Sequence, residues 1–188
     1  MKFIKALLFS FLFLMSMASQ AQPEVMHALG GGIVLSSCCG GPNFIYNPRV
    51  VVLEIADELT LAAVSYPALG LFFQYNSRVG GELFFSFDLP IMAEIAIGCG
   101  SSEYADANIG AYAGAGLGYH FSTDGFNGFV ALGPIVDFGI RFYLRELGSG
   151  RYYHIREGTY SLHVSYLPSL LAAGGAVLSV GFLTAIGY

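Results

Sequence analysis

Positive charge is what this chain has least of. Lysine occurs only at Lys2 and Lys5, and six arginines serve the rest of the 188 residues against 13 acids. An acidic chain with scattered arginines has no electrostatic footprint for nucleic acid and no basic patch for anionic lipid. Cysteine is scarce as well: Cys38, Cys39 and Cys99 are all there are. With no Cys-x-x-Cys and no histidine at ligand spacing, a zinc site is not expected. The odd count, with two cysteines adjacent, fits a loop pair plus a strand-end thiol rather than a disulfide framework. Charged residues make up 11% of the chain and aromatics 15%, the reverse of a disordered composition. Neither a metal nor a cofactor is called for.

The N-terminus reads as an export signal. Lys2 and Lys5 supply the positive region, Ala6 to Met15 an apolar stretch, and Ser19-Gln20-Ala21 small residues at −3 and −1. Residues 1–21 are therefore expected to be cleaved, leaving 22–188 as one domain. The apolar stretch is short for a membrane span.

Alternation dominates what remains. In the run Glu82 to Gly98, one parity gives Leu83, Phe85, Phe87, Leu89, Ile91, Ala93, Ile95 and Ile97, and the other includes Glu82, Asp88 and Glu94. Successive strand side chains point to opposite faces, so this is a long strand with one greasy face and one polar face. The same template fits Val25–Ser36, Arg49–Ala56, Leu59–Tyr75 (bent at Pro67), Asn108–Phe121, Gly128–Leu144, Gly158–Tyr166 and Gly175–Tyr188. On the second of these, Val51, Leu53 and Ile55 are expected outward and Glu54 inward. Ser37–Pro48 reads as a turn-rich loop, and Arg145–Glu157 as the most charged loop.

Eight strands are the expectation: an all-β, antiparallel, up-and-down transmembrane β-barrel. An even count brings both termini to one side, and eight strands enclose an interior that side chains fill. Glycines at Gly110, Gly114, Gly116 and Gly118 make room there for Tyr66, Phe72, Tyr112 and Tyr143; without a helix-opening context they are not a dinucleotide loop. Mean hydropathy, +0.62, is higher than a polar-lined barrel predicts. A helical membrane protein is the rival, and Leu167–Tyr188 is long enough to span. Strands explain better why Glu82, Asp88, Glu94 and Asp137 share one face, since scattered round helices they would be costly.

With its leader, its alternating strands and the ending Val180-x-Phe182-x-Thr184-x-Ile186-x-Tyr188, the chain resembles the small eight-stranded outer-membrane β-barrel proteins of Gram-negative bacteria. The resemblance implies an outer-membrane location and contact with outer-membrane lipid and lipopolysaccharide. It also implies recognition by the outer-membrane assembly machinery through the terminal strand ending at Tyr188. It is architectural, so function does not follow from it.

Two constellations carry candidate chemistry. His163-Val164-Ser165 resembles the His-x-Ser of the outer-membrane lipid A deacylases, where a Ser-His-Glu set cleaves an acyl chain. Here no acid follows Glu157, so Asp137 or Glu94 would have to lie beside His163 to orient it. The second is an inward polar set of Glu54, Glu82, Asp88, Glu94, His120, Asp137, Arg141 and His163. It reads either as an ion path or as a hydrogen-bonded lumen network that offsets desolvation. Its acid excess predicts a carboxyl group hydrogen-bonded to a tyrosine or carrying a proton.

The expected role is structural or loop-mediated interaction without catalysis. An acyl hydrolase for lipid A or phospholipid using His163 and Ser165 is the first alternative. A secreted lipocalin-like binder of a greasy ligand is the second, and it requires the inverse pattern, apolar inside and polar outside.

Overall fold

Alternation sustained over so many residues produces long strands, and they close on one another. The computed structural model describes residues 24–37, 40–76, 80–102, 105–123, 128–143, 159–171 and 175–187. The leader, Cys38, Cys39, the Arg145–Glu157 loop, Tyr188, and the side chains of Phe72 and Glu82 lie outside the described residues.

The strands are β1 Val25–Leu35, β2 Gly40–Ala56, β3 Leu59–Ser65, β4 Ala68–Asn76, β5 Gly80–Gly98, β6 Ile109–Thr123, β7 Gly128–Tyr143, β8 Thr159–Pro168 and β9 Ala176–Gly187. All pairings are antiparallel; β2 pairs with both β3 and β4, β5 pairs with both as well, and β9 pairs with β1 to close the ring. Nine segments make eight staves. β3 and β4 lie end to end between β2 and β5, separated at Tyr66-Pro67, where proline has no N–H to give the ladder. The bend expected at Pro67 is this break. One circuit from Leu53 through paired residues returns to Pro42, 11 positions away on the same strand, the stagger a closed barrel requires.

Two expectations about β2 are corrected. Ser37–Pro48 is not a loop: β2 begins at Gly40 and pairs with β1 without slippage from Leu35↔Gly40 to Val25↔Val50. Local turn chemistry gave way because the edge of β1 that faces away from β9 would otherwise be unpaired along most of its length, leaving backbone groups without partners. The parity of β2 is also inverted at its centre. Val51 is buried and faces inward with Arg49, whereas Leu53 faces outward. The cause is a register shift between them: Val51 pairs with Ala62 and Leu53 with Leu61, so two residues of β2 oppose one of β3.

Elsewhere alternation and burial agree. The outer face carries exposed Ile91, Ile95, Ile97, Leu117, Phe138 and Ile140 among many others. The lumen is filled, but it is not polar throughout. Ile45, Val64, Ala68, Met92, Ile135, Leu167 and Val177 belong to one buried apolar cluster inside the ring. Along β5 the inward series runs Glu94, Met92, Pro90, Asp88, so apolar groups separate two polar levels.

Candidate functional site

Among the described residues, three polar constellations in the lumen carry ion pairs. The largest is built on Glu94, which β5 holds fully buried. Its Oε1 accepts from Arg49 Nε at 2.9 Å and Arg141 Nη2 at 2.8 Å, and its Oε2 from Arg141 Nη2 at 3.0 Å and the Tyr66 hydroxyl at 3.3 Å. One carboxylate thus holds two guanidinium groups, from β2 and β7, across the barrel. The rest of Arg49 is satisfied by Ser101 O at 2.8 Å, Thr60 Oγ1 at 2.8 Å and Met26 Sδ at 2.9 Å. Arg141 reaches Gly100 O at 3.3 Å and lies 4.1 Å over the Tyr112 ring, a cation–π contact.

Both arginines therefore also hold the β5–β6 turn, which folds into the mouth of the ring. Cys99, Ser101, Ser102 and Ala105 are buried there. Gly98 and Gly100 make the inward fold possible, with φ of 74° and 65°, a backbone region that L side chains seldom enter. This turn lies at the end where β1 begins and β9 finishes.

The second constellation is Asp137 with His163, Nδ1 to Oδ1 at 3.2 Å, the imidazole stacked on Tyr66 at 4.8 Å. The third is Asp88 with His120, Nδ1 to Oδ1 at 2.6 Å, continued from Nε2 to Ser122 Oγ at 3.0 Å. Between them lies a cavity of about 30 Å³ lined by Ile45, Tyr66, Met92, Asp88, His163 and Ser165, room for about two waters.

Of the residues expected in the lumen network, Asp88, Glu94, His120, Asp137, Arg141 and His163 are inward and paired as described. Glu54 is not among them. It stands opposite Thr60 but is exposed, because β1 ends at the partner of Val50 and leaves the tip of the β2–β3 hairpin beyond the rim. Glu54→Gln should accordingly change unfolding free energy by less than about 0.5 kcal/mol; a denaturant titration of the two barrels checks it.

The Asp137 contact supplies the orienting acid that His163 was expected to need, but no nucleophile follows. His163 Nε2 has no hydrogen-bond partner and lies against Gly181, where an added Cβ would meet it at 2.1 Å. Ser165 lines the cavity on the same strand face. Among the described residues no hydrogen bond joins His163 to Ser165, the contact an acyl hydrolase using this pair would need.

Arg49 and Ser122 escaped the sequence reading. The expected outward set Val51, Leu53 and Ile55 gives Arg49 no inward place, because the bulge lies between Val51 and Leu53. The signal that could have found it was the hairpin itself, since Arg49 pairs with inward Met26. Ser122 lies just past the expected strand Asn108–Phe121, and β6 continues to Thr123.

No protein-family model and no curated protein matches the chain. Among solved structures it is similar to Ail, the attachment invasion locus protein of Yersinia pestis, in complex with the heparin analogue sucrose octasulfate, at 11% identity and a TM-score of 0.49 over 88% of this chain and 100% of that one. It is also similar to Neisserial surface protein A, at 12% identity and a TM-score of 0.49 over 89% of this chain and 100% of that one. The N-terminal β-barrel domain of Pseudomonas aeruginosa OprF gives 12% identity and a TM-score of 0.38, over 88% of this chain and all of that one.

Proposed function

We propose that this is an outer-membrane β-barrel protein, exported by a leader at 1–21 and working as the single domain 22–188. Its lumen is sealed, and its role is structural or loop-mediated. The observation that carries the reading is a closed ring whose exposed face is apolar over the height of a bilayer. From Ile109 to Tyr119 along β6 is ten residues, about 33 Å along the strand and about 25 Å along the axis at a tilt of about 40°. Outer-face aromatics mark both limits. Phe142, Tyr160 and Phe182 cluster toward one end, and Phe85 with Phe121 and Phe87 with Tyr119 toward the other. Such girdles sit at membrane–water boundaries.

The exposed belt would meet acyl chains and, at one rim, lipopolysaccharide. The strand ending at Tyr188 would be read by the assembly machinery. At the end that carries the termini the β5–β6 connection is folded into the ring, with Cys99, Ser101 and Ser102 buried. A lipocalin-like carrier needs a polar exterior and is disfavoured by this belt. Conduction is disfavoured by the inserted β5–β6 turn and the apolar layer within.

Detergent-extracted mature protein should run faster on an SDS gel unboiled than boiled, and should fractionate with outer membranes. Identical migration together with a soluble fraction would remove the reading.

A further inference from the structure

Three prolines from adjacent staves meet where β3 gives way to β4. Pro67 lies in the break itself. Pro48 on β2 continues the Arg49↔Val64 register one step, opposite Ser65, and Pro90 on β5 lies opposite Tyr66, between Ser65↔Ile91 and Ala68↔Asp88. Proline has no N–H, so each withholds a hydrogen bond from the wall. Tyr46 N donates to Pro67 O at 3.0 Å, but Pro67 has no donor to return to Tyr46 O. At Pro48 a side chain fills in, Asn47 Nδ2 donating to Ser65 O at 2.9 Å. Among the described residues the β2–β4 ladder is two pairs, Phe44↔Leu69 and Ile45↔Ala68, and the next β2 residue directed at β4 is Pro42. By contrast, β1–β2 runs unbroken from Leu35↔Gly40 to Val25↔Val50.

The lumen cavity lies directly behind this stretch. Ile45, Tyr66, Ala68, Pro90 and Met92 line it from the wall side, and Leu167 of β8 lines it as well. On the outside, Phe44, Leu69 and Leu71 are each more than half exposed, so the seam faces apolar surroundings.

We propose that the β2–β4 seam is a side entrance, through which the methyl end of a lipid acyl chain passes from the membrane into this cavity. The proposal rests on the membrane reading. A barrel parts at least cost where its wall holds fewest backbone hydrogen bonds. Chemistry and size select the occupant. An acyl tail is the slender apolar group that would lie against Phe44 and Leu69, whereas a polar headgroup would be desolvated there without a partner. At about 30 Å³ the cavity takes only the last carbons of a chain. Met92, unbranched and flexible, can turn aside to lengthen the slot.

The test refolds the full mature chain into vesicles of phosphatidylcholine carrying a photoactivatable diazirine at the end of one acyl chain, with the gel shift recorded first. After illumination, adducts are mapped by peptide mass spectrometry. Adducts on inward Ala68, Met92 or Leu167, beside those on outward Phe44 and Leu69, are the expected result. Pro67→Ala, which returns an N–H to Tyr46 O, should lower inward labelling roughly fivefold for one restored hydrogen bond, with outward labelling and the gel shift kept. Pro42→Ala, which offers β4 a further donor, should act in the same direction. Adducts confined to outward residues overturn the proposal, as does inward labelling that both variants leave unchanged. A chain without a gel shift, or without adducts on any outward residue, removes the membrane reading and the proposal with it.

Discussion

Glu94→Ala should destabilise the barrel by about 3–5 kcal/mol, the cost of removing one member of a buried ionic set and leaving the others uncompensated. Both guanidinium groups lose their carboxylate at once, and Tyr66 loses its acceptor. The β5–β6 turn should loosen with them, because the same arginines hold the Gly100 and Ser101 carbonyls. Urea titration of the refolded protein, followed by the unboiled gel band and far-UV circular dichroism, reads the shift in midpoint. Replacing the whole set with apolar residues of similar volume (Arg49→Met, Glu94→Leu, Arg141→Leu) should cost far less than the single change, since desolvation of the ions offsets most of their attraction. A Glu94→Ala barrel as stable as the parent would show that the cluster is solvated, contrary to its burial.

Phe138→Arg carries the second large effect. The side chain is 59% exposed near the middle of the outer belt, on the residue paired with Ala113. In water this exchange would be nearly neutral or would favour solubility. Facing lipid near the midplane it should cost about 2–4 kcal/mol. Parallel unfolding in phospholipid vesicles and in detergent-free buffer separates the two environments. A neutral result in vesicles would place this face outside the hydrocarbon and undo the membrane reading together with its belt.

How far the site could be read in advance varied with the strand. Glu94, Asp137, Arg141, His120 and His163 were legible because β5 to β8 alternate without bulges, so parity alone sends them inward. Arg49 was not. One bulge between Val51 and Leu53 exchanges the two faces of β2, and nothing in the local sequence marks it. That hidden arginine also resolves the acid excess. Glu94 is shared by two cations and a tyrosine, and the two lumen aspartates each face a histidine. The high hydropathy has a similar resolution. It argued against a polar-lined barrel, and the lumen indeed holds an apolar layer between its polar levels.

Alternation of side chains set the period, and with it the strands, their two faces and the even count of staves. These are local properties: side-chain alternation follows from the geometry of extended backbone and needs no knowledge of neighbours. Which polar groups meet depends on pairing between distant strands. Asp88 reaches His120 and not His163, and Glu94 gathers arginines 45 and 47 residues away, because cross-strand register and closure of the ring bring them together. Register is set by pairing summed around the whole barrel, where a single bulge or a one-residue slip changes every partner beyond it.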